Sequence, residues 1–337
     1  MTPGRLALVT GVTGYIGSRL VPRLLDEGWR VRALTRDRAK VADRAWLHRV
    51  DVVEGDASSR ETLDGALAGV DVAYYVLHSM DGEGDFVERD RDLARTFGAA
   101  ATDAGAGRIV YLSGLHPHEG RLSDHLASRV EVGDLLLGSG TPTAVLQAAV
   151  ILGSGSASFE MLRHLTTRLP VMVTPKWLDN RIQPIAVRDV LHYLVGAADL
   201  PPDLNRTFDI GGSEVLTYRA MIQRFAGVAG LRERAIVSVP VLSPYLASQW
   251  VGLVTPVPTG IAKPLVGSLL HEVVCTEHDI DRLVGPPPEG ALSFDDAVAA
   301  AIAGDDAHPR PEPGTVDPGR ITAADPEWAG GSGGIWS

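Results

Sequence analysis

The first residues of the chain that can do chemistry are Thr10–Gly11–Val12–Thr13–Gly14–Tyr15–Ile16–Gly17. Glycine recurs at every third position, a spacing suited to holding phosphate. Gly11 permits a tight turn off a strand. Gly14 lets the main chain approach a pyrophosphate with no Cβ in between, and Gly17 lets the next helix pack closely on a sheet. A helix opening near Tyr15 offers free amide N–H groups and a partial positive charge to those phosphates, with Thr10, Thr13 and Ile16 completing the turn. The alternative is an ordinary strand-to-helix turn. What separates the two is whether a strand precedes and a helix follows.

Two later features extend the phosphate reading. The run WRVRALTRD carries Arg36, with Arg38 and Lys40 behind it, where a carboxylate gripping a ribose 2′-hydroxyl would otherwise stand. A guanidinium matches a 2′-phosphate and a carboxylate repels one, so the expected cofactor is NADP(H) in preference to NAD(H). Asp37 next to Arg36 weakens that case. In EGDAS, 54–58, Asp56 and the main chain of Ala57 are placed to meet an adenine ring, although Asp56 serves equally as a helix cap.

The elements that must position these residues show as alternation. Short β-rich runs fall at Leu6–Thr10, Arg30–Leu34, Val50–Glu54, Val70–Leu77, Arg108–Ser113 and Thr143–Ile151. Helical patterns lie between them, near 15–27, 59–68, 86–105 and 124–138. Alternation of this kind gives right-handed βαβ units and a parallel sheet with helices on both faces, a Rossmann-type doubly wound α/β fold. VDVAYYVL is apolar at nearly every position, as a central parallel strand should be, so Tyr74 and Tyr75 read as interior packing.

Beyond the dinucleotide-binding core, 1–152, the pattern is less regular. Helices are expected near 157–168, 187–198 and 217–229, and short strands at Val171–Val173, Ile182–Ile185, Thr207–Ile210 and Ile236–Val239. Residues 153–304 read as a smaller, irregular part that covers a substrate and interweaves with the core. It ends in a helix that Ser293 caps and Gly304 stops. Residues 305–337, rich in Pro, Gly, Asp and Ala, read as a flexible or loosely docked tail.

Composition narrows the function classes. The formal net charge of −11 argues against nucleic acid as a partner. Cys275 is the only cysteine, so neither an internal disulfide nor a cysteine zinc cluster can form, and HEVVC lacks the second histidine of a zinc protease. No metal is expected. No uninterrupted apolar run is long enough to span a bilayer, and MTPGRLALVTG does not read as a signal peptide. The expectation is a cytoplasmic monomer or homodimer with a small-molecule substrate.

With these residues in view, the chain resembles the short-chain dehydrogenase/reductase superfamily. The likeness is to its extended and atypical branches, which include NmrA-like, isoflavone-reductase-like and sugar-epimerase-like proteins. A bacterial atypical group is suggested by YYVLHSM (74–80), LSDHLASRVEVGDLL (122–136), GSGSASFEML (153–162), PVMVTPKWLDNRIQPIAVRDV (170–190) and GGSEVLTY (211–218). The resemblance implies a Rossmann fold, NAD(P) binding and a substrate held by the C-terminal part. Active members pair a serine with Tyr-x-x-x-Lys, and the matching positions here are Ser113, His125 and Arg129. Histidine with an ordinary pKa near 6.5 can donate a proton at neutral pH, whereas arginine can hold or polarise but not shuttle. His78 and Ser79 follow the fourth strand, where ligands of open α/β sheets lie, and are assigned to cofactor and substrate.

Trp177 and Gln183 are further substrate candidates, with loop packing as the competing reading. Tyr245 and Trp250, in the apolar segment 241–258, line either an apolar pocket or a dimer surface. Together these readings give an NADPH-dependent reductase of a small, apolar carbonyl or activated alkene. The alternative is an NADP(H)-binding sensor or assembly protein without turnover.

Overall fold

Seven strands, β1 (Leu6–Val9), β2 (Arg30–Thr35), β3 (Asp51–Glu54), β4 (Val72–Tyr75), β5 (Arg108–Gly114), β6 (Thr143–Ala148) and β11 (Arg206–Ile210), form one sheet in the order β11-β6-β5-β4-β1-β2-β3. They belong to a computed structural model that describes residues 4–77, 86–117, 122–239 and 254–331. Every pairing in the sheet is parallel. The order reverses between β1 and β4. At such a point the carboxyl ends of the strands open a crevice, which is where ligands of doubly wound folds bind.

Helices cover both faces, as a parallel sheet requires. On one side α1 (Tyr15–Asp26) and α6 (Val187–Gly196) bury Leu20, Leu24, Val190 and Leu194 against Val9, Val31 and Tyr74. On the other, α2 (Arg60–Leu67), α3 (Phe86–Asp103) and α4 (Asp124–Leu137) bury Leu63, Phe97, Val132 and Leu136 against Leu8, Tyr75 and Tyr111. Each such side chain contributes about 1.5–3 kcal/mol relative to exposure. Tyr74 and Tyr75 are interior, as their run implies.

Two expected strands prove to be broken. Thr143–Ile151 divides into β6 and β7 (Ile151–Leu152), because β6 leaves the large sheet at Ala148 and β7 pairs instead with β10 (Ile185–Ala186). Ile182–Ile185 divides at Pro184, which has no N–H to give to a ladder. Its first half joins β9 (Arg181–Ile182), antiparallel to β12 (Leu216–Thr217), and its second half is β10. The remaining elements are α5 (Ala157–Arg168), β8 (Val171–Pro175), α7 (Tyr218–Val228), β13 (Ala235–Val239), α8 (Thr259–Ser268), α9 (Asp279–Leu283) and α10 (Phe294–Ile302). Strand β11 comes from the second half of the chain yet extends the first half's sheet.

Residues 305–331 differ from the loose tail that their composition suggests. Ile321, Thr322, Ala324, Asp325 and Ala329 are buried. The reason is a cation in the first helix. Arg19, itself buried, donates from Nη1 and Nη2 to the two carboxylate oxygens of Asp325 at 2.8 and 2.7 Å. It also donates to the carbonyls of Pro318 (2.8 Å), Arg320 (3.0 Å) and Ser154 (3.1 Å). A buried guanidinium must have its donors satisfied, and this segment satisfies most of them. Among the described residues no helix is long and apolar enough to cross a membrane.

Candidate active site

The glycine turn joins β1 to α1 at the β1/β4 crevice. Gly11 has φ +63°, and a Cβ there would stand 2.6 Å from the Val76 carbonyl oxygen. A Cβ on Gly17 would lie 2.2 Å from the Gly11 carbonyl, so the helix closes on its own turn only with glycine. A Cβ on Gly14 would meet nothing nearer than that same carbonyl, at 3.3 Å. Gly14 caps α1 without a side chain, and the first turn holds no acidic residue. The first helical bond runs from the Ser18 amide to the Gly14 carbonyl at 3.0 Å. The amides of Tyr15, Ile16 and Gly17 precede that ladder, and they fit an anion such as a pyrophosphate.

Side chains in the turn have other work. The Thr10 hydroxyl donates to the Tyr74 carbonyl (2.9 Å) and accepts from the Val76 amide (3.1 Å), so it staples β1 to β4 rather than facing a ligand. The Tyr15 ring lies under the Arg19 guanidinium, 4.0 Å from ring centre to Cζ. Ile16 packs on the core, and Thr13 is half-buried.

Arg36 follows the last residue of β2 and is exposed. The Asp37 carboxylate beside it accepts from the Ala39 amide at 2.8 Å and caps the short helix Arg38–Val41. Across the rim, Asp56 accepts from the Ser58 amide at 2.7 Å. That bond and a hydrogen bond with the Ser58 side chain hold its carboxyl below the usual range, with a smaller contribution from the Arg36 charge. Ser59, not Asp56, caps α2, and Ala57 is buried.

The serine, histidine and arginine positions converge where β5 meets α4. Ser123 caps α4 by accepting from the Leu126 amide at 3.3 Å, which sets His125 in the first turn and Arg129 one turn on. Ser113 is the last residue but one of β5, and its hydroxyl donates to the Arg129 carbonyl at 3.4 Å. The Arg129 guanidinium is buried. Its Nη2 lies 2.5 Å from the Asp90 carboxylate on α3, and its Nη1 donates to the Leu77 carbonyl at 3.4 Å. Asp90 also accepts from the Ser128 hydroxyl at 3.3 Å. Burial alone would lower the Arg129 pKa, but Tyr111, Asp90 and Tyr75 outweigh it and the net direction is up. Arg129 therefore stays a cation, with its charge balanced inside the protein.

His125 does not keep its ordinary pKa of 6.5. Burial pushes it down to about 4, the Arg129 charge adds to that, and Asp90 only partly opposes. At neutral pH the imidazole is neutral, so it works as an N–H donor or as a base and not as an imidazolium acid. The helix α8 borders this corner: a Cβ at Gly267 would lie 3.7 Å from Ser123 Cβ.

The other substrate candidates separate. Gln183 is buried with both ends of its amide in use: Nε2 donates to the Gly212 carbonyl (2.8 Å) and Oε1 accepts from the Cys275 amide (3.0 Å). It is an internal brace rather than a ligand contact. Trp177 packs between the two hydrophobic clusters of the C-terminal part, as its competing reading had it. His78, Ser79, Tyr245 and Trp250 lie outside the described residues. The sequence reading missed Asp90, which sits in the charged run FVERDRDLAR where nothing distinguishes a buried carboxylate from its exposed neighbours.

Residues 11–134 match a family model described as NAD(P)H-binding. A ceramide reductase of Caulobacter vibrioides is 30% identical over 197 residues, 57% of this chain and 61% of that protein. The match thus spans less than two thirds of that relative. A (4-alkanoyl-5-oxo-2,5-dihydrofuran-3-yl)methyl phosphate reductase of Streptomyces griseus is 28% identical over 232 residues, 67% of this chain and 74% of that protein. In fold, the chain is similar to the Citrobacter sp. triphenylmethane reductase complexed with NADP(H), with a TM-score of 0.67 at 20% identity over 88% of this chain and 99% of that one. It is also similar to an NADPH-dependent quinone oxidoreductase of Escherichia coli, with a TM-score of 0.65 at 18% identity over 87% and 98%. Residues 11–134 thus carry an NAD(P)H-binding domain, on a fold shared with these solved reductases.

Proposed function

We propose that the protein is a member of the short-chain dehydrogenase/reductase superfamily and an NADPH-dependent reductase of a carbonyl or activated alkene on a small, apolar molecule. The observation that carries the reading is the Gly11–Gly17 turn: uncapped, free of acid in its first helical turn, and set at the β1/β4 crevice. Both curated relatives described above are named as reductases. One is named for a ceramide and the other for an alkanoyl-bearing ring that also carries a phosphate, which supports a substrate with an apolar part.

The main-chain amides of Tyr15, Ile16 and Gly17 would hold the pyrophosphate, Arg36 the 2′-phosphate, and Asp56 with Ala57 the adenine. NADPH supplies hydride when bound. His125, neutral at pH 7, would hydrogen-bond the substrate oxygen through its N–H and polarise it, as a neutral imidazole can in a low-dielectric site, while the proton that completes the product comes from solvent. The Ser113 hydroxyl, whose proton is given to the Arg129 carbonyl, would turn from it to add a second donor near the end of β5. Arg129 moves no proton; its charge adds to the burial that lowers the His125 pKa, and it ties α4 to α3 through Asp90.

The test is oxidation of NADPH and of NADH against a panel of apolar ketones, aldehydes and enones. Consumption of NADPH ahead of NADH is expected, and consumption of neither would overturn the reading. The commitment of Arg129 to Asp90 favours the second reading, an NADP(H)-binding protein without turnover. That reading requires a partner that binds only when NADPH is present.

A further inference from the structure

We propose that the outer face of the β8–β13 sheet docks the protein on an anionic lipid surface. These two strands pair in parallel, with Ala235 opposite Val171 and Val237 opposite Val173. Val171, Val173 and Val237 are 61%, 54% and 56% exposed, and Ala235 is exposed beside them. On the reverse face Met172 and Thr174 are buried against the C-terminal core. A parallel pair is normally covered on both faces, and this one presents a stripe of valine to water.

The charges around the stripe are mostly basic; the exposed acids there are Glu233, beside Arg232, and Asp179, which is paired with Arg219. Between Glu160 and Asp179 the acidic and basic residues are Arg163, Arg168 and Lys176 only. From Val215 to Leu270 they are Arg219, Arg224, Arg232, Arg234 and Lys263, against Glu233 alone. The chain as a whole carries −11. Arg163, Arg219 and Arg224 are held in ion pairs, and Arg234 is buried. Arg168, Lys176, Arg232 and Lys263 are exposed. Arg168 and Arg232 precede the two strands and Lys176 follows β8, so basic groups bracket both ends of the valine face. From Ala235 to Ala262 the sequence has no acidic or basic residue at all.

An apolar strip between cations is the chemistry of a surface that meets lipid headgroups and the outer acyl region. A second copy of the chain on this face would set one net basic rim against another, which like-charge repulsion disfavours. The acidic remainder of the molecule is repelled by an anionic bilayer, and this turns the basic side inward. Docking here does not depend on the reductase reading.

Co-sedimentation of the full chain tests it, with vesicles of phosphatidylcholine alone and vesicles mixed with phosphatidylglycerol. Binding to the mixed vesicles, weakened by added salt, is expected. Val173→Asn combined with Val237→Asn should weaken it by about tenfold or more, and Lys176→Glu should lower its salt dependence. NADPH affinity, measured on each variant, should stay unchanged and thereby report an intact fold. Absence of binding to either vesicle overturns the proposal. So does binding that the valine substitutions leave unchanged, or a solution dimer that those substitutions dissociate.

Discussion

The guanidinium of Arg129 stands 2.5 Å from the carboxylate of Asp90, and both side chains are buried. The position that the resemblance matches to a lysine is therefore filled by a cation already neutralised within the protein. Breaking a buried pair from one side leaves an uncompensated charge, which costs about 3–5 kcal/mol. Asp90→Ala should lower the free energy of unfolding by roughly that amount in a denaturant titration. Arg129→Met added to Asp90→Ala should recover most of it. A loss below about 1 kcal/mol for Asp90→Ala would mean that the pair is solvated after all.

The lowered pKa of His125 has a signed consequence. Between pH 6.5 and about 4 the unfolded chain takes up a proton at this position and the folded chain does not. The stability tied to a neutral His125 is complete above pH 6.5 and is lost as the pH falls toward 4. His164, also pushed down to about 4 by burial, acts in the same direction, whereas Glu160, raised to about 7 by burial, acts in the opposite one. Comparison with His125→Asn isolates the single contribution: the variant should lose stability less steeply on acidification. Turnover should show no step at pH 6.5. A step there would restore the imidazolium donor that the sequence alone suggests.

Arg36 sets the expected cofactor preference. Charge-assisted hydrogen bonds contribute about 1.5–3 kcal/mol, so Arg36→Ala should weaken NADPH binding by roughly 10- to 100-fold and leave NADH within a few-fold. Fluorescence titration of both nucleotides measures this. Equal weakening of the two would place Arg36 away from the 2′-phosphate.

Arg19 and Asp325 join the phosphate-turn helix to a segment at the far end of the chain. Asp325→Ala leaves Arg19 buried and unpaired, and should cost about 3–5 kcal/mol of stability. Because Arg19 also lies over the Tyr15 ring, NADPH should bind the variant more weakly even where it remains folded. Unchanged NADPH affinity in a folded variant would confine the pair to holding the segment.

Much of the fold was legible because its cues are local. Strand-then-helix alternation, the three-glycine spacing and Ser293 before a helical run each act within a few residues. The breaks after Ala148 and at Pro184 were harder to read. TAVLQAAVIL is apolar throughout, and apolarity does not say where a strand leaves one sheet for another. The segment at 305–331 was misread because its composition is that of a loop, while its order depends on a cation near the other end of the chain. Asp90 was missed for the same reason: its partner is one helix away and its neighbours are equally charged. In the site, residue types were readable but their protonation was not. Histidine at 125 suggested an acid, and burial beside Arg129 lowers its pKa too far for that role.

The most direct test of the central claim is NADPH consumption by wild type and by His125→Ala at neutral pH on one reducible apolar carbonyl, with the NADPH dissociation constant measured for each. The expected result is measurable turnover by wild type, with kcat reduced about 100-fold or more in the variant and NADPH affinity unchanged within a few-fold. Equal kcat in the two proteins would contradict the assignment of His125 to the substrate oxygen.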